Sequence, residues 1–131
     1  MCNIIPVNKS DIKTCERLFK LSNSEIKPYI YELLEWMQDL NWPVAYPVSK
    51  RLFLFNTELV EPLLKILNSD DEAWKYWIVS YFLHHTSNDV YDRLFFKLSS
   101  IKNHPTKREV DEEVHDAVCE LLQIRGNKTV K

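Results

Sequence analysis

One glycine in 131 residues, Gly126, leaves almost no position where the backbone takes a positive φ cheaply. Hairpin turns of the Asn-Gly kind, glycine-rich phosphate loops and a G-x-S-x-G nucleophile elbow are excluded on that count. Strand signals are missing too, because no alternating apolar and polar run is bounded by turn dipeptides. No uninterrupted apolar stretch approaches the length of a membrane span. Cysteine is scarce and unpatterned: Cys2, Cys15 and Cys119 are odd in number, lack C-x-x-C spacing and read as free thiols. The opening Met-Cys-Asn-Ile-Ile-Pro-Val has no basic n-region and no long apolar run, which predicts no signal peptide and a cytoplasmic location. Nor does one sign of charge dominate. With 17 Lys and Arg against 19 Asp and Glu, the net charge of −2 supplies no global attraction to nucleic acid or an anionic membrane.

What is present is apolar and aromatic. A hydrophobic fraction of 45% and an aromatic fraction of 12% argue against disorder and for one domain. We expect that domain over 1–126, with 127–131 a frayed tail. A phrase also recurs. Asp39-Leu40-Asn41-Trp42 is echoed 32 residues later by Asp71-Glu72-Ala73-Trp74. Upstream, Pro28-Tyr29-Ile30 is echoed 34 residues later by Pro62-Leu63-Leu64. A helical period in the low thirties is the mark of stacked helix pairs.

Six segments carry a 3.6-residue apolar period and a seventh closes the set. The first, about Ser10 to Leu21, takes Ser10 as its N-cap and turns Ile12, Cys15, Leu18 and Phe19 to one face. Ser22-Asn23-Ser24-Glu25 is a capping box opening the second, with Ile26, Ile30, Leu33, Met37 and Leu40 as its stripe. The third begins near Pro43, kinked or delayed by Pro47, and carries Val44, Val48, Leu52 and Phe55 inward. Thr57 caps the fourth, with Val60, Leu63, Leu64 and Leu67. The fifth, about Asp71 to His85, is apolar nearly all round and so belongs at the centre. Ser87 caps the sixth. The seventh, about Thr106 to Arg125, sets Val110, Val114, Ala117, Val118 and Leu121 against a wet face of Glu109, Glu112, Glu113, Asp116, Glu120 and Gln123. Gly126 stands where a left-handed residue ends a helix. The expected fold is all-α: a short α-α solenoid of about three helical hairpins with a C-terminal capping helix.

The run Glu32-Leu33-Leu34-Glu35-Trp36-Met37-Gln38-Asp39-Leu40-Asn41-Trp42-Pro43-Val44-Ala45 resembles a family of small uncharacterised bacterial proteins with HEAT-like helical repeats. The resemblance continues through Glu61 to Leu67 and Asp70 to Trp77. It implies a compact helical stack in a soluble bacterial protein and imports no activity. The phrase Asn103-His104-Pro105-Thr106, where the Asp-x-x-Trp motif is missing, implies that the repeat ends there.

Candidate chemistry is thin. Adjacent His84 and His85 on one helix point about 100° apart, so they do not face one metal ion together. Glu112 and His115 make a single E-x-x-H pair, where a di-iron bundle needs two such pairs and two more glutamates. Cys15 and Cys119 lie within helices, away from an activating N-terminus, and Cys119 reads as a small core residue. The acids of the last helix read as a solvated face. Catalytic, cofactor-binding and metal-ligating residues are therefore not assigned, and no cofactor is expected.

The four tryptophans are the remaining signal. Large aromatics at helical spacing usually fill a core, yet Trp and Tyr also dominate binding hot spots. Trp42 and Trp74 hold equivalent places in the repeat. The sequence thus points to a non-enzymatic protein–protein interaction module whose partner meets Trp42, Trp74 and Trp77, framed by Asp39, Asn41 and Asp71, with Lys75 on the polar rim. A small acidic chain of this kind suits an immunity or inhibitory role toward a cationic protein. Nucleic acid is disfavoured as a partner, a HEAT-like DNA glycosylase type being the alternative that lacks a basic footprint. A small-molecule sensor with a pocket among the aromatics is the other alternative. The oligomeric state is not readable.

Overall fold

The computed structural model describes residues 4–126. The tail assigned to 127–131 and Cys2 lie outside the described residues. Within them the chain is all-α: α-helices joined by 3₁₀ turns, with no strand. Among the described residues no helix is long and apolar enough to cross a membrane.

Helix α1 (Ile12–Leu18) is capped by Asp11, whose carboxylate accepts from the Thr14 N–H. The expected cap Ser10 is displaced by its neighbour, because Asp11 also holds the Thr14 hydroxyl at 2.7 Å. The second segment is broken into α2 (Asn23–Ile26) and α3 (Ile30–Leu34), with 3₁₀ turns at Lys27–Tyr29 and Glu35–Gln38. Pro28 sits in the first of these turns, and the Ser22–Glu25 capping box is complete on both sides. Pro47 delays rather than kinks the next helix: α4 starts at Ala45 and runs to Leu52, placing the proline in its first turn, where no N–H is needed. Helix α5 (Val60–Leu67) comes after a 3₁₀ turn at Thr57–Leu59 in which Thr57 makes no side-chain cap.

Helix α6 (Glu72–Ser80) is central. It packs on α5, on α9 and on the Glu35–Gln38 turn, as its all-round apolar profile requires. It is shorter than expected: Tyr81 leaves helical geometry, and Phe82–His84 form a 3₁₀ turn. Ser87 caps α7 (Asn88–Asn103). The seventh segment divides into α8 (Lys107–Asp111) and α9 (Val114–Arg125), because Glu113 takes a left-handed conformation at φ 68°. That break changes the faces. Val110, expected inside, is exposed, while Glu109, expected outside, is buried. Gly126 ends α9 with φ 84°, the positive φ expected of it, and its carbonyl accepts from the buried Tyr91 hydroxyl at 2.6 Å.

A continuous core joins the α-helices other than α8, from Cys15 and Leu18 through Leu33, Met37, Leu52, Leu63, Ile78 and Phe82 to Leu98, Val118 and Leu121. Helix α1 lies against α4, α3 against α5, α5 against α7, and α6 against α9. Two arginines tie helix ends together. The Arg51 Nε donates to the Leu18 carbonyl at 2.9 Å and its Nη2 to Leu21 at 3.0 Å, at the end of α1. The Arg125 Nη1 donates likewise to Leu83 at 2.7 Å and Thr86 at 2.9 Å, at the Phe82–His84 turn and just beyond it. In both cases the guanidinium gives a further donor to carbonyls at or just beyond the end of a helical segment.

Candidate functional site

The turn Asp39–Trp42 is built by its own polar atoms. Asp39 leaves the Glu35–Gln38 turn in extended geometry, at φ −153° and ψ 109°. Its carboxylate accepts from the Asn41 backbone N–H at 2.9 Å, and its carbonyl accepts from the Trp42 N–H at 3.1 Å. This side-chain-closed turn folds the chain back on itself. Val44 N–H bonds to the Lys9 carbonyl and Ala45 N–H to the Trp42 carbonyl, both at 3.0 Å, so the turn is anchored where it leads into α4.

Trp42 is thereby laid against Trp36. The two rings stand 5.5 Å apart between centroids with their planes at 76°, an edge-to-face pair. Both are half-buried. With Ile5, Glu35 and Gln38 they line an open cleft of about 220 Å³. One carboxylate and no cation stand among those lining residues. Asp39 and Asn41 shape the turn without lining the cleft.

The echo at Asp71–Trp74 has a different fate. Asp71 is the N-cap of α6 and accepts from the Trp74 N–H at 3.0 Å. Trp74 is not a surface anchor: it is 5% exposed and belongs to the core. Its indole N–H donates to the Leu34 carbonyl at 2.9 Å, satisfying the end of α3, and its ring lies 5.6 Å from Tyr31. Lys75 is no polar rim either. It is buried between two carboxylates, 3.2 Å from Glu72 and 2.8 Å from Glu109, and donates to the Ser69 carbonyl at 3.1 Å. Trp77 is half-buried and edge-to-face with Tyr76 at 5.1 Å. It is not among the residues lining the Trp36–Trp42 cleft.

The Lys75 cluster bridges α6 and α8. Glu109 also closes a capping box: it accepts from the Thr106 N–H at 2.8 Å, while Thr106 Oγ accepts from the Glu109 N–H at 3.0 Å. Burial pushes the Glu109 carboxyl up, but hydrogen bonds from Lys75 and the Thr106 N–H, with the charges of Lys75 and Lys97, outweigh it and leave its pKa below the ordinary value. The Thr-x-x-Glu spacing is legible as a capping box. Its pairing with a lysine 34 residues away is not.

Cys15 and Cys119 are free thiols. Burial, with a contribution from the Asp11 charge, pushes the Cys15 thiol up to about 11, which makes it a poor nucleophile. Cys119 is half-buried rather than core, and lines a cleft with Phe95, Lys102 and Leu122. Its sulfur lies 3.7 Å from His115 Nε2, but that nitrogen is also 3.0 Å from the Lys102 carbonyl. A carbonyl only accepts, so Nε2 carries the proton and is not the base for the thiol. Burial lowers the His84 pKa, against the opposing charge of Glu120. No group of three or more His, Cys, Asp or Glu among the described residues is arranged to hold a metal ion.

Helices packed around a continuous apolar core, with an aromatic cleft at one turn, define an all-α domain. The chain belongs to the family of the domain of unknown function DUF5071, whose model matches residues 4–122. None of the curated proteins matches it by sequence.

Proposed function

We propose that the chain is a short HEAT-like α-α stack serving as a non-enzymatic protein-interaction module, with the Trp36–Trp42 edge as its contact surface. The single observation carrying this reading is the cleft in which two half-buried tryptophans meet, held by a hydrogen-bonded turn. Rigid aromatics at a partly open site supply contact area at low entropic cost. The stacked-pair reading draws support from bonds that span about one repeat. Arg51 to Leu18 covers 33 residues, Ser49 to Tyr81 covers 32, Asn56 to Asp89 covers 33, and Lys75 to Glu109 covers 34.

Affinity capture of the tagged protein from its native cytosol, with mass spectrometry of the captured material, tests the module. The expected result is one stoichiometric partner held by the wild type and by Trp74→Phe, and lost from Trp42→Ala at unchanged helicity. A partner retained equally by Trp42→Ala moves the contact surface elsewhere, and capture of none overturns the module.

A further inference from the structure

We propose that the Trp36–Trp42 cleft receives a basic side chain of the partner, an arginine in preference to a lysine. The inference rests on the interaction-module reading and names the chemistry of its contact. Trp36 and Trp42 stand at 76° to each other, so they form two walls of a corner rather than a flat stack. Indole presents the best aromatic face for a cation, and arginine, planar and weakly hydrated, both stacks on such a face and pairs with a carboxylate. Glu35 supplies that carboxylate. The residue is exposed and lines the same cleft, and its carboxylate makes no hydrogen bond or ion pair with any described residue. Gln38 adds a neutral amide whose oxygen accepts from a guanidinium N–H. Ile5 closes the apolar side. Among the described residues the lining holds one acidic group, two indoles and no cation, which complements positive charge and repels negative charge.

Lys75 offers the chemical contrast. There, two carboxylates already hold a lysine of the same chain in a buried site. At the Trp36–Trp42 corner, the carboxylate and the rings are open to a group from outside.

The test is a titration of the intact protein monitored by the indole N–H resonances of its four tryptophans. The probes are N-acetyl-arginine amide and its neutral isostere N-acetyl-citrulline amide. The expected result is that the Trp36 and Trp42 resonances shift with the arginine probe and stay with the citrulline probe. Glu35→Gln, a change at an exposed position that leaves the fold intact, weakens the arginine probe roughly tenfold. Equal binding of the two probes overturns the inference, since the cleft then reads shape and not charge. Tighter binding of tetramethylammonium than of the arginine probe also overturns it, in favour of a free quaternary amine. If no probe shifts either indole while Trp42→Ala still loses the captured protein, the cationic chemistry fails and the interaction module stands. If the probes bind and no protein is captured, the module fails instead.

Discussion

The phrases Asp39-Leu40-Asn41-Trp42 and Asp71-Glu72-Ala73-Trp74 look alike in sequence and do opposite things in space. In both, the aspartate organises the backbone just ahead of the tryptophan. Asp71 does so as a helix cap, and the helix it starts aims Trp74 inward at the end of α3. Asp39 does so as a turn, taking the Asn41 N–H, and the tryptophan it delivers lies half-open against Trp36. One side chain is buried in the core and the other is left half-open at the surface. The difference lies in the residues immediately after each aspartate: helical Glu72 and Ala73 in one case, and Leu40 and Asn41 ahead of Pro43 in the other.

The contrast is broken most severely at Trp74. Trp74→Ala is expected to cost about 3–5 kcal/mol in chemical denaturation, by cavity formation and by loss of the indole hydrogen bond to the Leu34 carbonyl. Trp74→Phe should cost less, because most of the volume stays and only the hydrogen bond is lost. A similar stability for Trp74→Ala and wild type would show the core assignment to be mistaken.

Next in size is the buried ion cluster around Lys75. Glu109 has a folded pKa below its ordinary 4.5, so its stabilising contribution is fully present above that value and disappears as pH falls through the folded pKa. Glu109→Gln should lower stability at neutral pH by about 2 kcal/mol and flatten the acid limb of the stability profile below 4.5. Parallel acid limbs for variant and wild type would dissociate Glu109 from the pH dependence. Smaller again is the effect of the caps. Asp71→Ala removes a helix cap and should cost about 1 kcal/mol, measured by urea unfolding. Asp39→Ala should cost less, yet weaken partner capture by loosening Trp42. The smallest stability change belongs to Trp42→Ala, well below about 1 kcal/mol, because that ring is already partly solvated. A loss there as large as at Trp74 would erase the distinction between the two phrases.

The helices are legible because their signals are local. Ser22 with Glu25, Ser87 and Gly126 each act within a few residues, and each stands where its spacing places it. Some misplacements are themselves local, as at Ser10 and Thr57, but the larger ones depend on something distant or on a break in periodicity. Val110 and Glu109 exchange faces because Glu113 adopts a positive φ that an amphipathic pattern does not announce. Lys75 has the sequence context of a polar residue at a helix start, and its burial depends on a glutamate of α8. Trp36 falls on the flank of an apolar stripe and carries no local mark of a surface site. Its distance of six positions from Trp42 nevertheless allows a turn to bring the two rings together. Arg51 and Arg125 give no signal at all, since a carbonyl acceptor has no signature in sequence.

The amino-acid sequence by itself determined that this protein is helical, where most of its helices start, and that α6 lies at the centre. Those outcomes depend on capping atoms, on the near-absence of glycine and on apolar periodicity, all of which act over one or two turns. Only the tertiary structure decided which tryptophan is core and which is surface, and that a lysine is buried between two acids. Those depend on which helix ends meet, a matter of packing between residues some thirty to forty positions apart, where a buried donor must find its acceptor.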